Sequence, residues 1–255
     1  MTELPAQYFS GRDGTRLAYR EVGEGRPVVL IHGYFSTATV NWIKYGQAAT
    51  IAARDHRVIM PDLRGHGDSG KPHDKAAYPA DVLADDGFAQ LEHLGLDVYG
   101  SPDYDLGGYS LGGRTTVRML TRGATPGRAI VAGMGLEGIT STGERTDFFH
   151  RVFTNLGTFE RGSAEWRAEA FLKTVGGDPV ALLNVIDTSV DTPLETVEKI
   201  VTPTLVTMGT EDLDHGSAQA LAAALPNGTY AEIPGNHMSA VTKPELGTTI
   251  ADFLA

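Results

Sequence analysis

Six short apolar runs punctuate this chain, and longer helical patterns separate most of them. The runs are Val28-Val29-Leu30-Ile31, Arg57-Val58-Ile59-Met60, Tyr104-Asp105-Leu106, Ala129-Ile130-Val131-Ala132, Thr204-Leu205-Val206-Thr207-Met208 and Thr229-Tyr230-Ala231-Glu232-Ile233. Several are apolar at consecutive positions, as strands buried on both faces are. Helix-length stretches lie at 41–54, 80–94, 111–122 and 216–225, with Gly95 and Gly123 where left-handed C-terminal caps belong. This alternation predicts an α/β fold: a mostly parallel central sheet with helices on both faces. Residues 6–22, with Gly11 and Gly14 between two strand candidates, predict an opening antiparallel hairpin.

Residues 136–198 break the alternation. They hold no convincing strand but several helix signals. Asp178 before Pro179 is an N-cap followed by a first-turn proline. Thr192-Pro193-Leu194-Glu195 has capping-box spacing. Gly176-Gly177 suits the end of a helix near 164–174. Five of the nine phenylalanines fall here: Phe148, Phe149, Phe153, Phe159 and Phe171. They could do no more than hold small helices together. An all-helical insertion between two strands must dock on something apolar, however, so the expectation is a helical cap at 136–198. The core domain then comprises 1–135 and 199–255.

Composition narrows the function. The 255 residues carry a formal net charge of −11, a poor match for phosphate backbones or anionic lipid, so no nucleic-acid or membrane partner is expected. No apolar run approaches the ~18 residues of a membrane span. Met1-Thr2-Glu3-Leu4-Pro5 lacks a basic region followed by an apolar one, so no signal peptide is expected. With no cysteine, there is no disulfide, thiolate zinc site or cysteine nucleophile. That fits a reducing compartment, and the expected location is cytoplasmic.

The chemistry centres on Gly108-Tyr109-Ser110-Leu111-Gly112, which follows a strand candidate and opens a helix candidate. A serine in so tight a turn presents its hydroxyl away from the sheet, and the helix N-terminus behind it favours developing negative charge. Serine is barely nucleophilic at neutral pH and needs a base. His237, in Pro234-Gly235-Asn236-His237-Met238, directly follows the last strand candidate, at the sheet edge where active sites collect. His215 is its rival, but a helix start predicts surface exposure for it. His56, His73, His93 and His150 are expected to be solvated. The base needs an orienting carboxylate. Asp212, after the preceding strand in Gly209-Thr210-Glu211-Asp212, is the choice over its neighbours Glu211 and Asp214.

With these residues in view, the chain resembles the α/β-hydrolase superfamily. Four segments carry the likeness: Leu30-Ile31-His32-Gly33-Tyr34, Pro61-Asp62-Leu63-Arg64-Gly65-His66-Gly67-Asp68-Ser69, Gly108-Tyr109-Ser110-Leu111-Gly112-Gly113, and the Asp212 and His237 loops. They run in the order nucleophile, acid, histidine that this fold uses. The resemblance implies the α/β-hydrolase fold with a cap between its sixth and seventh strands. It also implies an oxyanion hole from the backbone N–H groups of Tyr34 and Leu111. Asp62, Arg64 and His66 are expected to fix a tight loop, and Ser69 is not a second nucleophile. Two departures stand out: Asp103 and Asp105 in the central strand before the elbow, and Asn236 before the histidine.

Ser110 sets the chain apart from relatives with an aspartate nucleophile, such as haloalkane dehalogenases and epoxide hydrolases. No metal or cofactor is implied, since no His-x-x-x-His stands beside a carboxylate. Tyr34, Phe35, Leu111, Met134, Leu136, Met238 and the cap residues Phe148, Phe149 and Phe153 suggest an apolar substrate pocket. The expected activity is hydrolysis of a small apolar carboxylic ester or lactone through an acyl-enzyme. The alternatives are C–C hydrolysis of vinylogous diketones, cofactor-free perhydrolysis, and a slow-hydrolysing ligand receptor. The oligomeric state is open.

Overall fold

The computed structural model describes residues 4–97 and 101–255. Its strands are β1 (Gln7–Ser10), β2 (Arg16–Val22), β3 (Arg26–Ile31), β4 (His56–Pro61), β5 (Asp105–Tyr109), β6 (Ala129–Ala132), β7 (Thr204–Gly209) and β8 (Gly228–Ile233). They form one sheet in the order β1-β2-β4-β3-β5-β6-β7-β8. β1, β2 and β4 pair antiparallel, and every other pairing is parallel. The opening hairpin turns at Gly14, whose φ of 82° is the left-handed value that favours glycine.

Helices cover both faces of this mostly parallel sheet. They are α1 (Gln47–Ala52), α2 (Val82–His93), α3 (Leu111–Thr121), α4 (Leu136–Thr140), α5 (Gly143–Thr154), α6 (Ala164–Val175), α7 (Pro179–Ile186), α8 (Leu194–Val197), α9 (Ala218–Ala224) and α10 (Pro244–Leu254). Alternate residues of β3 feed different cores, as the two-residue period of a strand requires. Val29 and Ile31 pack with Leu83, Leu91 and Met119 of α2 and α3. Val28 and Leu30 pack with Ile51, Leu246 and Ile250 of α1 and α10. Among the described residues no helix is long and apolar enough to cross a membrane.

Asp105, the anomalous charge at the start of β5, is fully buried. Arg26 forks onto it (Nε to Oδ2 2.6 Å, Nη2 to Oδ1 3.0 Å), and the Arg128 backbone N–H donates to Oδ1 at 2.8 Å. The carboxylate therefore ties β3, β5 and β6 together, and pairing offsets the cost of its burial. Asp103 precedes the strand.

The Asp62–Ser69 loop is built on hydrogen bonds. Asp62 accepts from the backbone N–H groups of Ala38 (2.8 Å) and Asp68 (3.0 Å) and from Arg20 (3.0 Å). Ser69 Oγ accepts from Ala18 N–H at 2.8 Å and donates to the Asp62 carbonyl, far from any elbow.

Three local expectations fail. The stretch 41–54 is not one helix: a π-helical turn at Thr39–Ile43 is separated from α1 by Gly46, whose φ of 85° breaks the helical path. The capping box at Thr192 does not form. α8 begins after Pro193, and Thr192 Oγ1 accepts from Arg118 instead. His56 is buried, its Nδ1–H on the Arg54 carbonyl at 2.7 Å.

Between β6 and β7 the chain is helical throughout its regular elements. Asp178 caps α7 through Val180 and Ala181 N–H, and left-handed Gly176 ends α6. α5, α6 and α7 share one cluster in which Phe149, Phe153, Leu172, Leu182 and Ile186 surround Phe35. Ile139 of α4 and Val197 of α8 instead pack with Val117, Val131 and Leu221 of the sheet layer.

Candidate active site

β5 ends at Tyr109 and α3 begins at Leu111, leaving Ser110 alone to make the turn at φ 55°, ψ −115°. A non-glycine residue there is strained, and the surrounding backbone must hold it. Glycines allow the approach. A Cβ on Gly108 would lie 2.3 Å from the Gly112 backbone, and one on Gly112 would lie 2.1 Å from the Ile31 carbonyl oxygen. Ser110 N–H donates to Ala132 of β6 at 2.8 Å, which fixes the elbow to the sheet.

His237 follows β8, and its loop is shaped by its neighbour. Asn236 Oδ1 accepts from the N–H groups of Met238 (3.1 Å) and Ser239 (3.0 Å). Asn236 is thus a loop-forming residue, as Asx turns are. The Glu211 N–H donates to the Gly235 carbonyl at 3.0 Å, so the loops after β7 and β8 are joined. Asp212 Oδ2 then lies 2.8 Å from His237 Nδ1, and His237 Nε2 lies 3.0 Å from Ser110 Oγ. A carboxylate only accepts, so Nδ1 carries the proton and Nε2 is left to accept from the hydroxyl. The alternative acids Glu211 and Asp214 are exposed. Tyr109, adjacent to the nucleophile candidate, donates its hydroxyl to the His237 carbonyl at 2.7 Å.

His215 is not on the surface. Its ring is buried, edge-to-face on His237 with centroids 4.8 Å apart. α9 starts only at Ala218 with Ser217 as its cap, and left-handed Gly216 reverses the chain before it. Asp212, Asp214 and His237 bring one ligand atom each within 4.8 Å of one another. The Asp212–His237 pair already fills its facing atoms with a mutual hydrogen bond.

Beside Ser110 runs the segment after β3. Phe35 takes a left-handed φ of 58°. His32 Nδ1–H donates to the Gly33 carbonyl at 2.7 Å, while its Nε2 accepts from Leu63 N–H at 2.9 Å. Burial holds the His32 pKa below the ordinary histidine value, so the ring is neutral. His66 packs edge-on at 5.1 Å and is pushed down to about 3 by burial and by His32. Leu111, as the first residue of α3, has an N–H without an intrahelical acceptor. Tyr34 donates its phenol to the Leu182 carbonyl at 2.7 Å, and burial raises its pKa well above the usual phenol value.

A cavity of about 180 Å³ lies over Ser110 and His237. Tyr34, Leu111, Phe35, Met134, Phe149 and Met238 line it, but Leu136, Phe148 and Phe153 do not. Leu136 packs into the α9 side. Phe153 stacks on Phe149 at 5.9 Å and meets Phe35 edge-on at 5.6 Å within the helix cluster. Phe148 is one residue from Phe149 and sits with Arg151 over its ring at 5.6 Å. Sequence reasoning reached Phe171 of α6 only as one of the cap phenylalanines, and missed Ile186 of α7, Tyr45 and Asn41 from the turn after β3, and Arg114 of α3. Phe171 was visible as part of the aromatic enrichment; nothing local marks the others.

The sequence profile of the alpha/beta hydrolase family matches residues 28–246. The chain belongs to that family. Among curated relatives, a soluble epoxide hydrolase from Corynebacterium sp. (strain C12) is 35% identical over 96 residues, covering 38% of this chain and 32% of that protein. A non-heme haloperoxidase from Rhodococcus erythropolis is 34% identical over 118 residues, covering 45% of this chain and 38% of that protein. The likeness to these relatives thus spans well under half of their length. The crystal structure of a bromoperoxidase from Bacillus anthracis matches at TM-score 0.72 and 25% identity, over 98% of this chain and 99% of that one. Within this alpha/beta hydrolase, a hydroxyl, an imidazole and a carboxylate stand in one hydrogen-bonded line beneath an apolar cavity. Such a line can deprotonate the hydroxyl as it attacks an electrophilic carbon.

Proposed function

We propose that this protein hydrolyses small apolar carboxylic esters or lactones through an acyl-enzyme. The observation that carries the reading is the chain of contacts from Ser110 Oγ to His237 Nε2 (3.0 Å) and from His237 Nδ1 to Asp212 Oδ2 (2.8 Å). Ser110 is the nucleophile, His237 the base and then the acid, and Asp212 the carboxylate that orients the ring and stabilises its cationic form. Ser110 Oγ attacks the carbonyl carbon as Nε2 takes its proton. The tetrahedral oxyanion is received by the N–H groups of Tyr34 and Leu111, at about 10²–10³ in rate per donor. Nε2 then protonates the leaving alkoxide. Water enters and gives one proton to Nε2 as it attacks the ester carbon; the tetrahedral adduct then collapses, the C–Oγ bond breaks, Nε2 returns that proton to Ser110 Oγ, and the acid is released. The three side chains and water handle every proton and electron pair, so the reaction asks for no cofactor. Helices α5–α7 act as the cap. Phe149, Phe171 and Ile186, with Phe35, Met134 and Met238, contact the apolar part of the substrate.

A second reading is favoured by the whole-chain likeness to the bromoperoxidase structure. Hydrogen peroxide would take the place of water in deacylation and yield a peroxyacid. A panel of nitrophenyl esters with acyl chains from C2 to C12, with and without peroxide, tests both readings. Repeated turnover by the wild type and none by Ser110→Ala supports ester hydrolysis. Peroxyacid formation exceeding ester hydrolysis favours the second reading. A single turnover with a ligand-dependent melting shift would point to a receptor instead.

A further inference from the structure

The Gly33–Tyr34 peptide carries the N–H assigned above to the oxyanion, so its orientation decides whether that donor works. The peptide is trans, and its C=O and N–H point in opposite directions. Whatever fixes the Gly33 carbonyl therefore aims the Tyr34 N–H. Two donors fix that carbonyl: His32 Nδ1–H at 2.7 Å and Ser36 N–H at 3.2 Å. The other end of Gly33 is fixed by one contact, its own N–H on Asn41 Oδ1 at 3.0 Å. Gly33 also lies against the nucleophile. A Cβ there would stand 3.2 Å from both Ser110 Cβ and the Tyr109 carbonyl oxygen. A small rotation of this residue would move the donor relative to the reacting carbon.

Asn41 is ill suited to its place unless it serves this contact. It is 2% exposed and lies in the wall of the cavity over Ser110. Its Nδ2 has no acceptor among the described residues. The Gly33 N–H can only donate, so the atom facing it must be Oδ1, and the amide nitrogen meets no acceptor among the described residues. A buried half-satisfied carboxamide is costlier than an apolar side chain of similar size. It stands in the π-helical turn Thr39–Ile43, a rare geometry that is frequent at functional sites.

We infer that Asn41 is a positioning residue for the oxyanion hole, acting through Gly33 to hold the Tyr34 N–H toward the developing charge. The inference rests on the acyl-transfer reading. It requires that loss of Asn41 weaken transition-state binding more than substrate binding. The test uses the full chain with Asn41→Leu, which keeps the branched skeleton without its polar atoms, and Asn41→Ala, which adds no strain if leucine fits badly. Each is measured for kcat and KM on a nitrophenyl acetate or butyrate, for the inhibition constant of an alkyl boronic acid that forms a tetrahedral adduct, and for Tm. The expected result is a kcat lower by about tenfold to a hundredfold, a fraction of what one lost donor costs. KM should stay within about threefold, and boronate affinity should fall in parallel with kcat/KM. A kcat within twofold of wild type in both variants overturns the inference. So does a loss of kcat accompanied by unchanged boronate affinity. Wild-type protein that turns over no ester and forms no Ser110 adduct with a fluorophosphonate would instead overturn the acyl-transfer reading, and this inference with it.

Discussion

The loops at the carboxyl edge of the sheet and the helices between β6 and β7 contribute to the same cavity under different constraints. Ser110, Asp212 and His237 each sit within four residues of a strand end, and strand register places them. β5 pairs with β6 from Leu106↔Ala129 to Tyr109↔Ala132, and β7 with β8 from Thr204↔Gly228 to Gly209↔Ile233. Moving one of these residues means moving the sheet. Phe149, Phe171 and Ile186 are placed by side-chain packing among short helices around Phe35. Chemistry should therefore be lost all at once when an edge residue changes, whereas selectivity should drift as the helices are repacked.

The largest expected effect tests the rigid side of that contrast. Ser110→Ala and His237→Ala should each lower kcat by about 10⁴–10⁶, and the double variant should be little worse than either single one. Asp212→Asn should cost about 10⁴ by presenting the wrong tautomer to Ser110, while Asp214→Asn stays within a few-fold. Steady-state kinetics with Tm as a folding control decides this. An active Asp212→Asn beside an inactive Asp214→Asn would move the acid by two residues.

A smaller loss is expected from Tyr109→Phe. Its hydroxyl holds the carbonyl of His237 itself, so the variant leaves a buried acceptor unpaired and loosens the base. kcat should fall by about tenfold with KM little changed. An unaltered kcat would show that the loops after β7 and β8 hold His237 without help.

The helical side is sharpened by rings that do and do not face the cavity. Phe171→Ala should shift the C2-to-C8 ratio of kcat/KM, since each methylene in an apolar pocket is worth roughly 1–3 kcal/mol of discrimination. Phe153→Ala, buried behind the lining, should lower stability by about 3–5 kcal/mol and leave the ratio alone. If Phe153→Ala changes the ratio and Phe171→Ala does not, the cavity wall has been drawn on the wrong face of the cluster.

How much of this was legible in the sequence follows the same division. Apolar runs mark the strands because burial on both faces leaves no alternation, and the elbow glycines are marked because no other residue lets α3 approach β3. The carboxylate of Asp105 read as an anomaly only because its partner, Arg26, is far away in sequence. The lining rings were legible only in part: Tyr34, Phe35 and Phe149 line the cavity, whereas Phe148 and Phe153 do not. Enrichment places phenylalanines in a region, and periodicity places them on a helix face, but neither says which neighbouring helix that face meets. His215 was misjudged because a left-handed glycine, not a helix cap, decides where it points. Asn41 gave no local signal at all, since its significance lies in one hydrogen bond to a residue eight positions earlier.

The smallest effect expected is a slope. His66 is held near 3 and His32 below its ordinary value, so both rings stay neutral in the folded protein while the unfolded chain takes up protons below about pH 6.5. The unfolded state then binds more protons, and stability must fall as pH drops through that window. The slope is at most about 1.4 kcal/mol per pH unit per ring. Glu21, Asp62 and Asp187, whose carboxyl pKa values are held low, add loss of the same sign only below about pH 4. Tm measured from pH 7.5 to 4.5 should decline, and His66→Phe should flatten the decline. A flat wild-type profile would mean that His66 and His32 are not buried neutral.

The central claim, that Ser110 is acylated with His237 and Asp212 driving the transfer, is tested most directly by catching the intermediate. Wild-type protein is mixed with excess nitrophenyl acetate, the release of nitrophenol is followed on the millisecond scale, and an acid-quenched sample is digested for mass spectrometry. An acetyl group is expected on the peptide carrying Ser110, formed at a rate no slower than turnover and absent from His237→Ala. Ester turnover with no acyl adduct on that peptide, or with the adduct on a different side chain, would contradict it.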